Sequence, residues 1–544
     1  MRRRVLLSLA VLGVGAGLFA AAGLGRSAQT RGGTLRIGFT ADLDYVDPAL
    51  AYEAVSWMIE SATCAKLYGY PDLPGSAGTR VIPEVAVDFP RPSKDGKTQT
   101  IELKRTYRFH TGARLTATNF VAAFNRDVNP KLQSGATQYM HEIVGADAAI
   151  AGKTDTIAGV KALGPYTLQL RTTKPLHDLA DRLTMPFFCP IAANTPPRPI
   201  TNPPGSGPYY LASYVPNRLL RLERNRFYHG PRQANVDHVV FSEGIGLEAC
   251  RQAVEQDELD WCAHIPTDDY RPLAKKYGIN RPNGQFFFTP TLETDYFAFN
   301  HDRPAFKGAG QVPLKKAINL VIDRPALVRT FGYLGARRTD QILPPALGRD
   351  DHIYPISGVS AQAVTKARAL LASAEIKPEK ITLYVCSCPF RPFAPEAQLF
   401  KYALARLGID VEIKYFSLDE LVNRVGTRGE PYDVVDWVWI PDWGDGISVF
   451  GPLLDGRHIT KVGNQNYANF DRPKANREID RIDGLTGDAR RPAWADLDLG
   501  LMRDDPPWAP FANYSQVDFV SKSFGCFVPQ PLVGRIDLVA ACKK

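Results

Sequence analysis

Residues 381–443 read ITLYVCSCPFRPFAPEAQLFKYALARLGIDVEIKYFSLDELVNRVGTRGEPYDVVDWVWIPDW, with apolar residues alternately at strand and helix spacing. Every second residue is apolar from Ile381 to Val385 and again from Val411 to Tyr415, which is typical of strands. Between these runs, Ala397 to Leu407 carries apolar residues at helical spacing, and Gly408 follows at the expected helix end. A third, largely apolar strand is predicted from Asp433 to Trp439.

Further signals in this segment indicate the direction of its strands. Ser417-Leu418-Asp419-Glu420 is a capping box that starts a short helix after the second strand. The segment therefore reads β-α-β-α-β, and because such crossovers are right-handed, the strands are predicted to be parallel. Ligands of open parallel sheets gather outside the carboxyl ends of the strands. The turn after the third strand, Trp439-Ile440-Pro441-Asp442-Trp443, should therefore face a cleft.

The N-terminal segment has the composition of an export signal. Arg2–Arg4 precede the charge-free run Val5–Ala22, which ends in small residues suited to cleavage. Because this run approaches the length that spans a bilayer, a retained membrane anchor is the alternative. Cys64 is the first cysteine, so lipid attachment near the cleavage region is excluded. We expect residues 1–28 to be a signal segment and the protein to be exported, periplasmic or at the cell surface, with tethering by an uncleaved segment as the second option.

Size and charge limit the remaining classes. A chain of 544 residues is too long for one core and suggests three or four structural units. The formal net charge of +8 falls to +4 without the four Arg of residues 1–28. The other basic residues are scattered, with no basic block among aromatic residues, so nucleic-acid binding is not expected.

The eight cysteines of an exported chain favour structural disulfides. Proximity in sequence suggests Cys250 with Cys262 and Cys526 with Cys542, although connectivity cannot be derived from sequence. Cys386-Ser387-Cys388 has neither the C-x-x-C redox spacing nor the second pair of a zinc site. No metal site is therefore predicted.

Catalytic and cofactor signatures are missing from the sequence. Gly205-Ser206-Gly207 is too short for a nucleophile elbow, and His141-Glu142 lacks the second His of a zinc protease. Lys97-Thr98 and Lys153-Thr154 lack the glycines of a phosphate-binding loop. We therefore predict a protein without cofactors and without catalysis. A secreted hydrolase with a dispersed active site remains the alternative from another class.

Several separated segments together match one known pattern. The chain resembles the family 5 extracellular solute-binding proteins, which include the dipeptide and oligopeptide receptors of ABC importers. Each motif is weak alone, but their order along the whole chain is specific. The matching segments are Gly32–Gly38 with Asp47-Pro48, Tyr107–Gly112, Leu115–Phe120, Gly205–Tyr210, Leu222–Tyr228, Phe299-Asn300, Val312–Ile318 and Asp323-Arg324.

This resemblance implies an α/β fold, namely the type II, three-domain form of the two-lobed periplasmic-binding-protein-like clamp. Lobe I would comprise residues 29–60, 205–290 and 505–544, with an inserted domain at 61–204. Lobe II would comprise residues 291–504. Two hinge crossings are expected, near Thr289–Phe299 and near Asp504–Ala512.

In peptide-binding members of the family, a Trp-x-x-Asp turn pairs with the α-ammonium of the ligand. The matching residues here are Trp439 and Asp442, and Trp443 is a further ligand-binding candidate. A buried carboxylate needs a cation or hydrogen-bond donors to offset its desolvation, and a ligand ammonium fits that need. Alternatively, Asp442 caps the following helix or pairs with an Arg, and the tryptophans belong to the core.

One position departs from the family pattern. Some oligopeptide receptors have an Arg three residues before the Trp that meets the carboxylate of the ligand, whereas this chain has Asp436. A carboxylate there would repel a peptide C-terminus, which favours longer peptides, cationic ligands or another solute over a short dipeptide. Asp44 and Tyr45, near the opening strand, are weaker cleft candidates, with loop packing as the plainer interpretation.

The resemblance implies a monomeric binding component of an ABC importer. It would capture a peptide or peptide-like ligand by hinge closure, because contacts made only in the closed state shift the equilibrium towards closure. The closed form would then be recognised by the permease subunits at the membrane. Since a fold does not determine its ligand, a sugar, a metal chelate or another small solute remains an alternative.

Overall fold

The computed structural model describes residues 31–39, 43–388, 391–532 and 535–544. The predicted signal segment, residues 1–28, lies outside these ranges. Within the described ranges, no helix is both long enough and apolar enough to cross a membrane. In the described ranges, three sheets of four to six strands form the frame of the protein, two further sheets have two strands each, and helices pack around them. The described α-helices are Ala54–Thr63, Gly75–Gly78, Ala117–Asp127, Ala146–Ile150, Leu179–Arg182, Leu247–Glu255, Tyr270–Tyr277, Val312–Val321, Arg324–Arg329, Ala361–Ser373, Phe393–Ala405, Leu418–Val425, Ile447–Leu454, Pro473–Asp483 and Arg490–Asp504.

A five-stranded sheet lies in the residues predicted to form lobe I, and the names lobe I, lobe II and inserted domain refer below to the predicted ranges. The opening strand of the chain, Thr34–Gly38, follows Gly32-Gly33, and its Leu35 and Ile37 are fully buried. It runs parallel to two strands that follow about 200 residues later along the chain. In spatial order the strands are Trp261–Cys262, Thr34–Gly38, His238–Ser242, Leu219–Arg224 and Tyr209–Val215.

A four-stranded antiparallel sheet supports the inserted domain. Its strands, in spatial order, are Arg91–Pro92, Thr98–Glu102, Thr167–Arg171 and Val160–Gly164. The helix Ala117–Asp127 begins after Thr116, whose backbone N–H donates to Asn119 Oδ1 at 2.9 Å. Thr116 and Asn119 therefore form a capping box at the start of this helix.

A six-stranded mixed sheet contains four strands of predicted lobe II and two longer strands that extend into lobe I, and it confirms the β-α-β-α-β segment. Lys380–Cys386 runs parallel to both Asp410–Phe416 and Val434–Trp439. Ser417 caps the intervening short helix by accepting from Glu420 N at 3.4 Å. Gly408 has a φ of +76°, the left-handed conformation expected at the end of the first helix. In spatial order the strands are Ala336–Arg338, Trp508–Phe519, Phe286–Phe299, Val434–Trp439, Lys380–Cys386 and Asp410–Phe416.

Two long antiparallel strands, Phe286–Phe299 and Trp508–Phe519, connect the lobes and are called the crossing strands below. They pair from Phe286 opposite Phe519 to Ala298 opposite Trp508, and their register shifts between Pro290 and Thr294. A register shift interrupts the ladder of hydrogen bonds, and Pro290 donates none. The crossing strands overlap both predicted hinge segments, whereas the domain boundaries given above remain a prediction.

All eight cysteines are in the described part of the chain and form four disulfides. The predicted pairs Cys250–Cys262 and Cys526–Cys542 are confirmed. Cys386 pairs with Cys388, as a structural bridge. Cys64 pairs with Cys189, 125 residues away, and closes the inserted domain near both of its predicted ends.

Candidate ligand-binding site

Asp442 lies in the turn after the strand Val434–Trp439 and contacts the opposite lobe. Its carboxylate accepts hydrogen bonds from the Tyr139 hydroxyl at 2.8 Å and the Tyr52 hydroxyl at 3.1 Å. Tyr139 lies in the inserted domain and Tyr52 precedes the helix Ala54–Thr63 of lobe I. The turn therefore faces the other lobe, as the strand order predicted, and the lobes touch at Asp442.

The two alternative roles considered for Asp442 belong to Asp445 instead. Asp445 accepts from Ile447 N at 3.0 Å at the start of the next helix. It also accepts from Arg490 at 2.8 Å and from Trp494 Nε1 at 2.9 Å. Among the described residues, no Lys, Arg or His pairs with Asp442.

Burial controls the protonation of Asp442. Desolvation raises the pKa of its carboxyl to about 7, and the hydrogen bonds from Tyr139 and Tyr52 oppose this shift only in part. The charged form of Asp442 therefore lacks full compensation within the protein. A cation from a ligand would supply that compensation.

The two tryptophans of the turn have different environments. Trp439 is buried, and its Nε1 donates to Ser448 O at 3.3 Å, which holds the turn to the core of lobe II. Trp443 is also buried, but its ring lies 5.8 Å from the Tyr139 ring and beneath the Arg182 guanidinium of the inserted domain. Trp443 is therefore part of the contact between the lobes, whereas Trp439 supports the turn from behind.

Asp44 positions Tyr52. Its carboxylate accepts from the backbone N–H of Tyr45 at 2.7 Å, Tyr52 at 2.6 Å and Glu53 at 3.0 Å, and from the Ser56 hydroxyl. These bonds fix the chain just before the helix Ala54–Thr63. Tyr45 is 47% exposed beside this turn. A direct ligand contact of Asp44 and Tyr45 remains a prediction.

Asp436 is fully buried on the face of the sheet that it shares with Phe297. Burial raises the pKa of its carboxyl well above 3.8, and the negative charges of Glu396 and Asp295 raise it further. A raised pKa favours the neutral carboxyl, so the repulsion of a peptide C-terminus expected from sequence is weaker than a charged Asp would produce. The cation near Asp436 is Arg391, which pairs with Asp295.

Arg391 also belongs to a cluster of polar side chains that come from both lobes. Its guanidinium pairs with Glu293 as well as with Asp295 and packs 5.3 Å from the Tyr514 ring. On the lobe I side, His264 Nε2 lies 3.2 Å from the Arg535 guanidinium. Burial, Arg535 and Arg391 together lower the pKa of His264 to about 3, which keeps this imidazole neutral.

Sequence reasoning missed Tyr52, Tyr139 and Arg391. Tyr52 and Tyr139 lie 390 and 303 residues from Asp442, and neither stands in a motif with a recognisable chemical role. Arg391 follows a strand of the β-α-β-α-β segment, so its position at the carboxyl end of a parallel strand was the available signal.

Comparisons with known proteins agree with this architecture. A profile of the bacterial extracellular solute-binding proteins, family 5 Middle, matches residues 80–461. The periplasmic murein peptide-binding protein MppA of Escherichia coli (strain K12) is 25% identical over 450 residues, which are 80% of each protein. The dipeptide-binding protein of the same organism is 23% identical over 403 residues, covering 69% of this chain and 70% of that protein.

Solved structures share the fold over nearly the whole length. The clavulanic acid biosynthesis oligopeptide binding protein 2 superposes with a TM-score of 0.83 at 23% identity, covering 94% of this chain and 96% of that chain. The periplasmic binding protein DppA from Helicobacter pylori, in complex with the peptide STSA, has a TM-score of 0.75 at 18% identity, covering 94% and 98%. The two-lobed clamp predicted from sequence is confirmed.

Proposed function

The chain belongs to family 5 of the bacterial extracellular solute-binding proteins, and we propose that it captures a peptide or peptide-like solute and delivers it to ABC permease subunits. One feature supports a peptide above other solutes: Asp442 is a buried carboxylate at the contact between the lobes, and no described Lys, Arg or His forms an ion pair with it. The relatives described as peptide-binding or dipeptide-binding support the same class of ligand.

Each residue of the site has a role in this proposal. Asp442 pairs with the α-ammonium of the ligand, and the hydroxyls of Tyr52 and Tyr139 hold the carboxylate in place. Trp443 forms part of the wall around this anchor, and Trp439 fixes the turn to lobe II. Because the anchor is on one lobe and the tyrosines are on the other, the full set of contacts forms only on closure.

The protein acts in this proposal as an exported monomer that changes nothing chemically in its ligand. It works in the periplasm or at the cell surface, either free or tethered by an uncleaved N-terminal segment. Closure of the lobes over the ligand produces the form that the permease recognises.

The ligand can be identified directly. Mass spectrometry of solutes that co-purify with the protein should reveal peptides, and thermal-shift screening should then rank synthetic ones. A ligand that binds only the folded state adds about 2.7 kcal/mol at a hundred times its Kd, so it should raise the Tm. Each peptide is paired with its N-acetylated form and with a panel of sugars and metal chelates. Stabilisation by a sugar or chelate alone, or chemical conversion of the bound compound, would contradict the proposal.

Binding should depend on pH through Asp442. Its pKa is raised to about 7, so below that pH the unliganded carboxyl is neutral and must release a proton to pair with an ammonium. Affinity for a peptide with a free amino terminus should therefore fall by up to about tenfold for each pH unit below 7. Calorimetry at several pH values between about 5 and 7.5 measures this slope, before the α-amino group itself titrates near pH 8.

The stability of the unliganded protein should depend on pH in the opposite direction to the peptide affinity. Because the pKa of the Asp442 carboxyl is higher in the folded protein than in the unfolded chain, binding of a proton to Asp442 stabilises the unliganded form. This stabilisation is complete below the unfolded pKa of about 3.9 and is lost as pH rises through the folded pKa of about 7. Acid should therefore favour the unliganded protein at this site and oppose binding. If the peptide affinity of Asp442→Asn changes with pH as it does in the wild type, a group other than Asp442 causes the pH dependence.

A further inference from the structure

A second cavity, of about 650 Å³, lies beside the crossing strands, and Asp442 is not among its lining residues. The cavity that contacts Asp442 is lined by Trp57, Tyr70 and Leu532 among others, has a volume of about 20 Å³ and shares no lining residue with the larger one. A volume of several hundred Å³ is typical of sites for small ligands. The larger cavity is called the hinge pocket below.

Parts of both lobes form the walls of the hinge pocket. Residues 289–292 and 513–515 of the crossing strands form one side. Residues 280–284 and the segment Phe524–Phe527 come from lobe I, and Arg337 with Pro345 and Ala346 comes from lobe II. Pro74, Gly75 and Thr79 of the inserted domain complete the enclosure.

The lining of the hinge pocket is apolar and positively charged. Phe287 and Phe527 stack with ring centroids 4.1 Å apart, and Phe288 and several prolines lie around them. The charged side chains are Arg281, Arg337 and Lys544, and no Asp or Glu occurs among the described lining residues. Such a lining complements a ligand with an apolar body and a negatively charged end.

The three cationic side chains differ in whether the protein already provides a carboxylate or carbonyl partner for them. Arg337 pairs with Asp350 at the surface, and Lys544 Nζ donates to Asn283 O at 3.0 Å. Arg281 is exposed at the rim, and within the described ranges no carboxylate pairs with it. Arg281 is therefore the cation most available to an incoming carboxylate.

We propose that the hinge pocket is a second ligand site, which binds a small amphipathic carboxylate. The acyl or aromatic body of such a ligand would pack against Phe287, Phe288 and Phe527, while its carboxylate would meet Arg281 and Arg337. This site differs from the peptide anchor, because Asp442 is not part of its lining and its charged side chains are cations.

Octanoate is a suitable probe, and octanamide is its neutral control of equal length. Calorimetry on the full protein should show saturable octanoate binding with a stoichiometry of one, and clearly weaker binding of octanamide. A hydrogen bond to a charged group contributes about 1.5–3 kcal/mol, so the double variant Arg281→Gln/Arg337→Gln should bind octanoate at least about tenfold more weakly. Ala346→Trp should block binding by filling the pocket from the lobe II side.

Two further variants separate this site from the peptide site and from general charge effects. Asp442→Asn and Arg503→Gln, an exposed Arg away from the pocket, should leave octanoate binding unchanged. The proposal is overturned if octanoate does not saturate, if octanamide binds equally well, or if the double variant binds like the wild type. It is also overturned if Asp442→Asn abolishes octanoate binding, since the probe would then occupy the peptide cleft. If the protein binds octanoate as described but binds no peptide, the proposed function fails and the hinge-pocket proposal stands.

Discussion

Asp442→Asn is expected to weaken the binding of a peptide with a free amino terminus by about thirtyfold or more. Truncating one partner of a buried, hydrogen-bonded charge pair costs about 2–5 kcal/mol, and each 1.4 kcal/mol is a factor of ten. Asparagine keeps the shape of the side chain and can still bond to Tyr52 and Tyr139, so the loss would report the missing charge. Isothermal calorimetry with one peptide, free and N-acetylated, measures the effect.

The N-acetylated peptide supplies the decisive comparison. It carries no ammonium, so its weaker binding should change little in Asp442→Asn. Asp351→Asn, an exposed carboxylate away from the site, should bind both peptides like the wild type. Equal losses for the free and blocked peptides would remove Asp442 from the role of ammonium receptor and leave it as a structural residue.

The parts of the fold that sequence could predict are those set by neighbouring residues. The alternation from Ile381 to Val385, the cap at Ser417 and the glycine at 408 each act within a few residues and are confirmed. The Glu420 side chain of the predicted capping box pairs with Arg424 instead. The disulfides follow the same rule. Pairs 12 and 16 residues apart could be guessed from proximity, whereas Cys64–Cys189 depends on how the inserted domain folds.

The parts that sequence could not predict are long-range. Strand order placed Asp442 at a cleft, because the carboxyl ends of parallel strands share an edge. Nothing near Tyr52 or Tyr139 indicates that their hydroxyls meet that carboxylate, because the contact depends on three units packing together. The raised pKa of Asp436 could not be predicted from sequence either, because it results from burial beside Glu396 and Asp295.

Gly207→Ala is expected to destabilise the protein by at least about 2 kcal/mol, because overpacking costs about 1–3 kcal/mol and a buried hydrogen-bonding group left unpaired adds about 1–3 kcal/mol. A Cβ at this position would lie 2.6 Å from Ala62 O, Cys64 N and Thr63 C, all of them backbone atoms at the end of the helix Ala54–Thr63. Backbone cannot move aside as a flexible side chain can. The segment would have to withdraw, and the bond from Gly207 N to Thr63 O, now 2.7 Å, would break. Thermal and urea unfolding followed by circular dichroism measure the loss.

Gly500→Ala is the matched control for this substitution. Gly500 lies inside the helix Arg490–Asp504, and nothing lies within 4 Å of the Cβ that would be added. Alanine in a helix interior is favoured over glycine by about 0.5–1 kcal/mol, so this variant should be slightly more stable than the wild type. The two substitutions add the same methyl group, and opposite signs would therefore isolate the contact at Thr63. A Gly207→Ala protein as stable as the wild type would show that the close approach of residues 205–208 to the helix end is not required for folding.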